Sequence, residues 1–176
     1  KKGSNYQGGL RVPGIFCWPA KIKSGIQVEE PAGLVDLMAT ICDFVGYKIP
    51  EEIHLDGTSL QALLTGDPQN FKRPQPFFWH FAESKQIVGI RDGNYSLLAC
   101  PDYEFSKSEK FNEAWIPTIK KGGYRDFELY DLVKDPMQKD DLAKQRPELL
   151  LSLKSKLLKI NASVMAEGSD WHLDQQ

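Results

Sequence analysis

The chain has 176 residues, of which 41% are hydrophobic and 26% charged, and its formal net charge is −2. This composition is that of a globular chain that can bury one ordinary core, and it excludes a disordered polypeptide. The small net charge gives no support to binding of nucleic acid or a membrane surface, and no apolar run approaches the roughly 20 residues of a membrane span.

The first stretch of the chain is rich in glycine. It combines Lys2, an aromatic residue at Tyr6, the pair Gly8 and Gly9, and Arg-Val-Pro at 11–13. Glycines allow backbone angles closed to other residues and let main-chain N–H groups approach a ligand. A lysine in this setting is a candidate anion-binding group, because its ammonium is a compact charge with three donors. The alternative is an exposed, solvated lysine beside an ordinary turn.

The next residues predict a strand followed by helices. Residues 10–18 form an apolar run typical of a buried strand, and Cys17 lies within it as a packing residue. Over 31–45 apolar residues recur every three or four positions, which predicts a helix whose apolar face is core and which Gly46 ends. Those residues are Leu34, Leu37, Met38, Ile41 and Val45. Thr58 or Ser59 is expected to cap a short helix through Leu64, and His54 is expected to be an exposed loop residue.

A boundary follows at residues 67–76, which are rich in proline, amides and charge. Aromatic and β-branched runs at 76–81, 86–91, 95–99 and 127–132 then predict strands, with a hairpin turn at 92–94. A last helix is predicted over 147–161, with Leu150, Leu153, Leu157 and Ile160 on one face. The simplest packing is a small antiparallel sheet covered by that helix. Residues 100–124 are a long polar insertion, of a length that is often functional.

Three cysteines and one histidine need separate comment. Cys17, Cys42 and Cys100 are odd in number and widely spaced, so we expect buried free thiols and no disulfide framework. No close cluster of cysteine and histidine indicates a zinc site. His80 ends an aromatic strand, where a histidine is either a satisfied packing residue or a functional one.

The N-terminal stretch resembles the sulfatases, metal-dependent sulfate-ester hydrolases of the alkaline-phosphatase superfamily. Their later sequence carries Lys-x-x-x-Tyr-x-Gly-Gly-x-Arg-x-Pro, as residues 2–13 do here. Further family segments follow in the same order, as far as about Asn161: Phe-Trp-His at 78–80, Ile-Arg-Asp-Gly-x-Tyr at 90–95, Glu-Leu-Tyr-Asp-Leu at 128–132 and Lys-Asp-Pro at 134–136. Gln7 departs from the glutamate common before the double glycine, which leaves the pairing of Arg11 open.

The resemblance implies a fold and a site. The fold would be α/β, with residues 1–66 ending an alkaline-phosphatase-like domain and residues 67–176 forming an α+β C-terminal subdomain. Lys2 would contact the sulfate group and steady charge on the leaving oxygen, and His80 would contact the sugar or aryl part of the substrate. Arg91 is expected to pair with a carboxylate, while Tyr103 and Lys121 would contribute only if the insertion folds over the cleft.

The resemblance also implies what lies elsewhere. The calcium ligands and the formylglycine nucleophile of sulfatases precede the lysine motif, so both are expected upstream of this chain. Cys17 superficially echoes the formylglycine signature, but Lys21 stands where that signature needs arginine.

As a whole, the chain is therefore expected to be the C-terminal part of a sulfatase, inactive alone and completed by an N-terminal catalytic portion. Its other partner would be a sulfated small molecule or glycan, with no nucleic acid and no membrane, in a periplasmic or secreted location. Two alternatives are a phosphonate or phosphodiester hydrolase of the same superfamily, and a non-catalytic module that binds sulfated glycans through Lys120 and Lys121. Because the run at 10–18 suits the centre of a larger sheet, the first sixty residues are expected to be poorly ordered or to pair with another chain.

Overall fold

The fold is taken from a computed structural model, which describes residues 3–104 and 113–168. The chain divides into two compact units: a helical unit, Val12–Phe77, and a sheet unit, Lys1–Arg11 with Phe78–Gln176. The helices are α1 (Gln7–Leu10), α2 (Leu37–Val45), α3 (Gln61–Leu64), α4 (Ile116–Lys121) and α5 (Pro147–Glu167). The strands are β1 (Phe77–His80), β2 (Val88–Asp92), β3 (Tyr95–Pro101) and β4 (Tyr124–Asp131). Short 3-10 turns lie at Leu34–Asp36, Pro68–Asn70 and Glu113–Trp115.

The helical unit has a small core of leucines. Leu60, Leu63 and Leu64 are buried, and Ile22, Phe44 and Phe71 pack against them. The predicted short helix is confirmed as α3, and Ser59 Oγ accepts a hydrogen bond from the Gln61 amide at 3.1 Å. The predicted end of α2 is also confirmed, because Gly46 follows it with a φ of +70°, a conformation that glycine adopts without strain.

A buried ion pair ties the helical unit together. Asp36 is fully buried and accepts hydrogen bonds from Arg73 Nη1 at 2.9 Å and from Nη2 at 2.7 Å. The backbone amides of Gly33 and Thr58 also donate to this carboxylate. The Arg73 guanidinium in turn lies 4.0 Å from the centre of the Phe77 ring. Burial acts to raise the pKa of Asp36, but these hydrogen bonds outweigh it and hold the pKa below its usual range.

The strand predicted at residues 10–18 is wrong. Gln7–Leu10 is the short helix α1, and no regular structure extends over 11–18. Ile15 is 90% exposed, and Cys17 is exposed rather than buried. The run is apolar enough for a strand, but all four strands of the described sheet come from residues 77–131, which leaves 10–18 without a neighbouring strand. Cys42 and Cys100 are buried free thiols, as predicted.

Four of the five apolar residues predicted for the core face of α2 and the turn before it are exposed, and only Leu37 is half-buried. Leu34 is 85% exposed, and Met38, Ile41 and Val45 are 58 to 65% exposed. The inward side instead carries Asp36, Thr40 and Cys42, and the Thr40 hydroxyl accepts the Leu60 amide at 3.0 Å. The helical period was predicted correctly, but polar ties on the inner side decide which face is buried.

The sheet unit contains a four-stranded sheet in the order β1-β2-β3-β4. The predicted hairpin is confirmed: β2 and β3 are antiparallel, Asp92 pairs with Tyr95, and Gly93 between them has a φ of +55°. β3 and β4 are antiparallel with a bulge between Leu98 and Cys100. The antiparallel sheet with helices confirms the predicted α/β class, with its α+β C-terminal part.

The C-terminal helix covers one face of this sheet, as predicted. Leu153 and Leu157 of α5 belong to one core cluster with sheet residues, namely Val88, Ile90, Leu97, Ala99 and Leu129. α5 runs to Glu167, six residues past the predicted end at 161. One polar contact accompanies the packing, since Tyr124 hydroxyl donates to Asn161 Oδ1 at 2.7 Å.

The opposite face of the sheet is covered by the start of the chain. Side chains alternate between faces along a strand, so Leu98 and Tyr130 point away from α5. They form a second buried cluster with Leu132, and Tyr6 packs against it. A Cβ on Gly89 would lie 2.6 Å from Leu98 Cδ2 and 3.9 Å from Asn5 Cβ, so the glycine leaves room where this stretch lies on the sheet.

Candidate functional site

The cleft that holds His80 is formed with the residues that follow Lys2. Its volume is about 310 Å³. It is lined by Gly3, Ser4, Asn5, Gly9, Leu10, Trp79, His80 and Phe81. Lys2 itself lies outside the described residues. The structure therefore brings the glycine-rich stretch and the Phe-Trp-His strand end, which are about 75 residues apart in sequence, to the same cleft.

His80 is neither a fully satisfied packing residue nor an exposed one. Its Nε2 atom is buried and, within the part of the chain that the structure describes, has no hydrogen-bond partner. Burial lowers the pKa of His80 below its ordinary value of 6.5. The side chain is therefore a neutral imidazole at pH 7, and one ring nitrogen can still take up a polar partner.

Asn5 anchors the glycine-rich stretch to the sheet unit. The side chain is 2% exposed, and its Nδ2 donates to the Gln86 carbonyl at 2.8 Å. The Asn5 backbone amide also donates to Ser84 Oγ at 3.3 Å. Asn5 also lines the cleft and immediately precedes Tyr6, the aromatic residue of the motif.

Tyr6 is bound to a carboxylate on β4. Its hydroxyl donates a short hydrogen bond to Glu128 Oε2, and Gln86 Nε2 donates to the Tyr6 hydroxyl at 2.9 Å. Glu128 also accepts from Tyr130 at 2.9 Å and from Gln86 at 3.0 Å. Burial, followed by the bond to Glu128, raises the pKa of Tyr6 to about 12, and burial likewise raises that of Tyr130. Both phenols are neutral donors at ordinary pH.

Arg91 lies beside the motif position at which this chain departs from the sulfatase pattern. Its Nη1 donates to Gln7 Oε1 at 3.4 Å, and its Nε donates to the Gly93 carbonyl at 3.2 Å. The backbone N–H of Gln7 donates a hydrogen bond to Gln138 Oε1 at 2.6 Å. A glutamate at position 7 would meet the same guanidinium. The expected pairing of Arg91 with a carboxylate stays a prediction.

Tyr103, Lys120 and Lys121 of the insertion are not among the residues that line the cleft. The Tyr103 ring packs against the core cluster beneath α5, and burial raises the pKa of its phenol to about 12. Lys121 is exposed at the end of α4, while Lys120 Nζ donates to the Gly168 carbonyl at 2.6 Å. Residues 105–112 lie outside the described ranges, so folding of the insertion over the cleft stays a prediction.

A second concavity lies in the helical unit. It is apolar, has a volume of about 160 Å³, and includes Phe16, Trp18, Ile41 and Val45 in its lining. The Trp18 and Phe44 rings lie 5.2 Å apart at its side. Its lining carries no charged residue, so it fits an apolar side chain better than a sulfated ligand.

Residues 3–104 and 113–168 contain neither a cluster of metal ligands nor a helix able to span a membrane. No group of three or more His, Cys, Asp or Glu side chains there could hold a metal ion. No helix in the same ranges has both the length and the apolar character needed to cross a membrane.

Sequence reasoning did not single out Asn5, Gln86 or Glu128. Glu128 had one signal, because it alternates with the apolar Phe127 and Leu129 and thus shares a sheet face with Tyr130. Its pairing with Tyr6 spans 122 residues and has no local signature.

Solved structures share this architecture. One comes from work on the metabolism of multiple glycosaminoglycans by Bacteroides thetaiotaomicron; it is 25% identical, with a TM-score of 0.59, and the match covers 91% of this chain and 31% of that one. The crystal structure of Ps i-CgsB in complex with k-i-k-neocarrahexaose is 24% identical, with a TM-score of 0.64 over 92% of this chain and 31% of that one. The antiparallel sheet with its covering helix is thus an architecture that this chain shares with both solved structures.

The family follows from the sequence match. The family "N-sulphoglucosamine sulphohydrolase, C-terminal" matches residues 1–111, and the chain belongs to this sulfatase family. Human arylsulfatase A is 29% identical over 158 residues, covering 87% of this chain and 31% of the relative. Human steryl-sulfatase is 35% identical over 83 residues, covering 47% of this chain and 14% of the relative. The chain thus spans less than a third of the length of these relatives.

Proposed function

We propose that this chain is the C-terminal portion of a sulfatase that hydrolyses sulfate esters of a carbohydrate or aryl compound. The observation that best supports this proposal is the cleft lined both by residues that follow Lys2 and by His80, in a chain of the sulfatase family. Residues 1–66 would end the catalytic α/β domain, and residues 67–176 would form the C-terminal subdomain. A periplasmic or secreted location accompanies this proposal.

Lys2 would supply a positive charge to the sulfate group. Its ammonium would steady the negative charge that develops on the leaving oxygen as the ester bond breaks. A preorganised donor of this kind contributes roughly 3 to 4 kcal/mol of transition-state stabilisation. His80, neutral at pH 7, would contact the part of the substrate that does not react.

Calcium and formylglycine would come from outside this sequence. The described residues hold no cluster that fits a calcium ion, so no step on this chain is assigned to the metal. Cys17 lies outside the required signature because Lys21 replaces its arginine. The isolated chain is therefore expected to be inactive.

The remaining part of the sulfatase would be a partner of the helical unit. This unit carries an exposed apolar stripe, which is not buried against the rest of the described chain. The stripe consists of Leu34, Met38, Ile41 and Val45. The relatives are about three times as long, so the uncovered stripe supports packing against an apolar face from the rest of the enzyme.

A carbohydrate sulfate is favoured over an aryl sulfate. The relative of known structure at 25% identity comes from glycosaminoglycan metabolism. A substrate of this kind presents hydroxyl groups that could partner the buried Nε2 of His80.

Binding to the isolated chain tests the role of Lys2. Glucose 6-sulfate, titrated at millimolar concentrations, should shift the amide NMR signals of Gly3, Ser4 and Asn5, while glucose should not. Lys2→Ala should abolish these shifts, because the sulfate loses its cation. The matched control is Lys23→Ala, an exposed lysine of the helical unit. Equal shifts in wild type and Lys2→Ala would contradict the proposal, as would turnover of sulfate esters by this chain with added calcium.

A further inference from the structure

The residues that follow Lys2 are held by contacts from distant parts of the sheet unit. Asn5 bonds to Ser84 and Gln86, Tyr6 bonds to Glu128, and the Gln7 amide bonds to Gln138. The partners lie 79 to 131 residues further along the chain. A stretch rich in glycine loses much conformational entropy on ordering, so these bonds offset a large cost.

Glu128 is the centre of this arrangement. Its carboxylate accepts hydrogen bonds from three donors, namely the hydroxyls of Tyr6 and Tyr130 and the amide Nε2 of Gln86. An ionised carboxylate has lone pairs for all three, and bonds to a charged acceptor are roughly twice as strong as neutral ones. Gln86 is 4% exposed and also donates to the Tyr6 hydroxyl, so Tyr6, Gln86 and Glu128 are each hydrogen-bonded to the other two.

The network is built on a rigid element. Glu128 and Tyr130 are two residues apart on β4, and β4 is hydrogen-bonded to the buried strand β3 with Leu98 opposite Glu128. Both strands are fixed from the other side by α5. A side chain on β4 therefore gives Tyr6 a position that does not depend on the flexibility of the glycines.

The reach of the chain connects Tyr6 to Lys2. Four residues span at most about 14 Å when fully extended, and Asn5 and Tyr6 are both bonded to the sheet unit. Pinning these two residues therefore limits the region in which the Lys2 ammonium can lie.

We propose that Glu128, together with Tyr6 and Gln86, is a positioning device that holds residues 3–7, the stretch that follows Lys2, at the cleft that contains His80. The proposal rests on the proposed role of Lys2 as a sulfate-binding residue. Glu128 acts through Tyr6 and does not contact the substrate. Because burial and Glu128 raise the pKa of Tyr6 to about 12, the phenol keeps its donor proton over the whole working range of pH.

The decisive variant is Tyr6→Phe. It keeps the ring that packs 6.1 Å from Tyr130 and removes only the hydroxyl. Amide hydrogen exchange at Asn5, Tyr6 and Gln7 should become about tenfold faster, the loss expected for one bond to a charged acceptor, while β3 and α5 keep their protection. Affinity for glucose 6-sulfate should fall by a similar factor. Tyr47→Phe, which alters an exposed tyrosine of the helical unit, should change neither measurement.

Glu128→Gln provides an independent test. The amide keeps one acceptor oxygen and removes the charge, so exchange at Asn5 to Gln7 should again be faster than in wild type. Normal exchange and normal sulfate affinity in both variants would overturn the proposal. Faster exchange throughout β3 and α5 would also overturn it, because the network would then serve only general stability.

Sulfate binding by Lys2 and positioning by Glu128 are contradicted by different results. A wild-type chain whose Gly3 to Asn5 signals do not respond to glucose 6-sulfate would contradict the role of Lys2. The exchange measurement then decides alone whether Glu128 holds the stretch, and selective loss of protection in Tyr6→Phe would support that.

Discussion

At the scale of single residues, Asp36, which is fully buried, and His80, which is half-buried, show two states of an ionisable group removed from water. Asp36 is charged and takes four hydrogen bonds, two of them from Arg73. His80 Nε2 has no partner among the described residues, and the imidazole stays neutral. Asp36 is therefore a structural tie of the helical unit, whereas His80 keeps an unused polar atom beside a cleft.

The neutral state of His80 predicts a pH dependence of stability. The folded-state pKa lies below the ordinary 6.5, so between these two values the unfolded chain binds a proton that the folded chain does not. The free energy of unfolding should therefore be highest above pH 6.5 and should fall as the pH drops towards the folded-state pKa of His80.

Urea unfolding of the sheet unit between pH 5 and pH 8 measures this effect. His80→Phe should flatten the dependence over that window, and His54→Asn, which alters an exposed histidine, should leave it unchanged. A wild-type stability that rises on acidification from pH 7 to pH 5.5 would contradict the neutral, buried assignment of His80.

At the scale of elements, the apolar stripe of α2 is the feature with the clearest physical consequence. Its residues recur at helical spacing on one side of the helix and lie open to solvent, alongside an apolar concavity that contains Phe16 and Trp18. An exposed apolar area of this kind drives association.

Placing charges on the stripe should therefore reduce self-association of the chain. In Met38→Glu/Ile41→Lys the net charge is unchanged, both sites are exposed, and the inner face with Asp36 and Thr40 is untouched. We expect a more monomeric species in light scattering, with an unchanged circular dichroism spectrum. Leu151→Glu is the control, because Leu151 is an exposed leucine of α5 and does not belong to the stripe. Equal self-association of wild type and double variant would contradict the assignment of the stripe as an interface.

The elements that sequence could predict were those with local causes. The β2–β3 hairpin follows from Asp-Gly-Asn at 92–94 between a β-branched run and a run that begins with an aromatic residue, and α5 follows from its periodic leucines. The buried side of α2 could not be predicted, because Asp36 and Arg73, 37 residues apart, decide it. The strand expected at 10–18 failed for a related reason, since a strand needs neighbours that pattern alone does not supply.

At the scale of the whole molecule, the candidate site was predictable only in part. The motif pointed to Lys2 and the strand end to His80, and the cleft they were expected to share is lined by His80 and by Gly3, Ser4 and Asn5. The Glu128 network was not predicted, because its hydrogen bonds join Tyr6, near the start of the chain, to Glu128 on β4. No local sequence pattern signals a contact between residues 122 positions apart. The two units thus expose different features: the sheet unit carries the cleft that holds His80, and the helical unit carries an exposed apolar stripe.

Sulfatase activity of the natural gene product that contains this sequence, measured with and without Lys2→Ala, is the most direct test of the proposed sulfate-binding lysine. We expect hydrolysis of a carbohydrate sulfate whose kcat falls roughly a hundred- to thousandfold on loss of the ammonium, with Lys23→Ala unaffected. Full activity of the Lys2→Ala enzyme would show that this lysine does not serve the sulfate site.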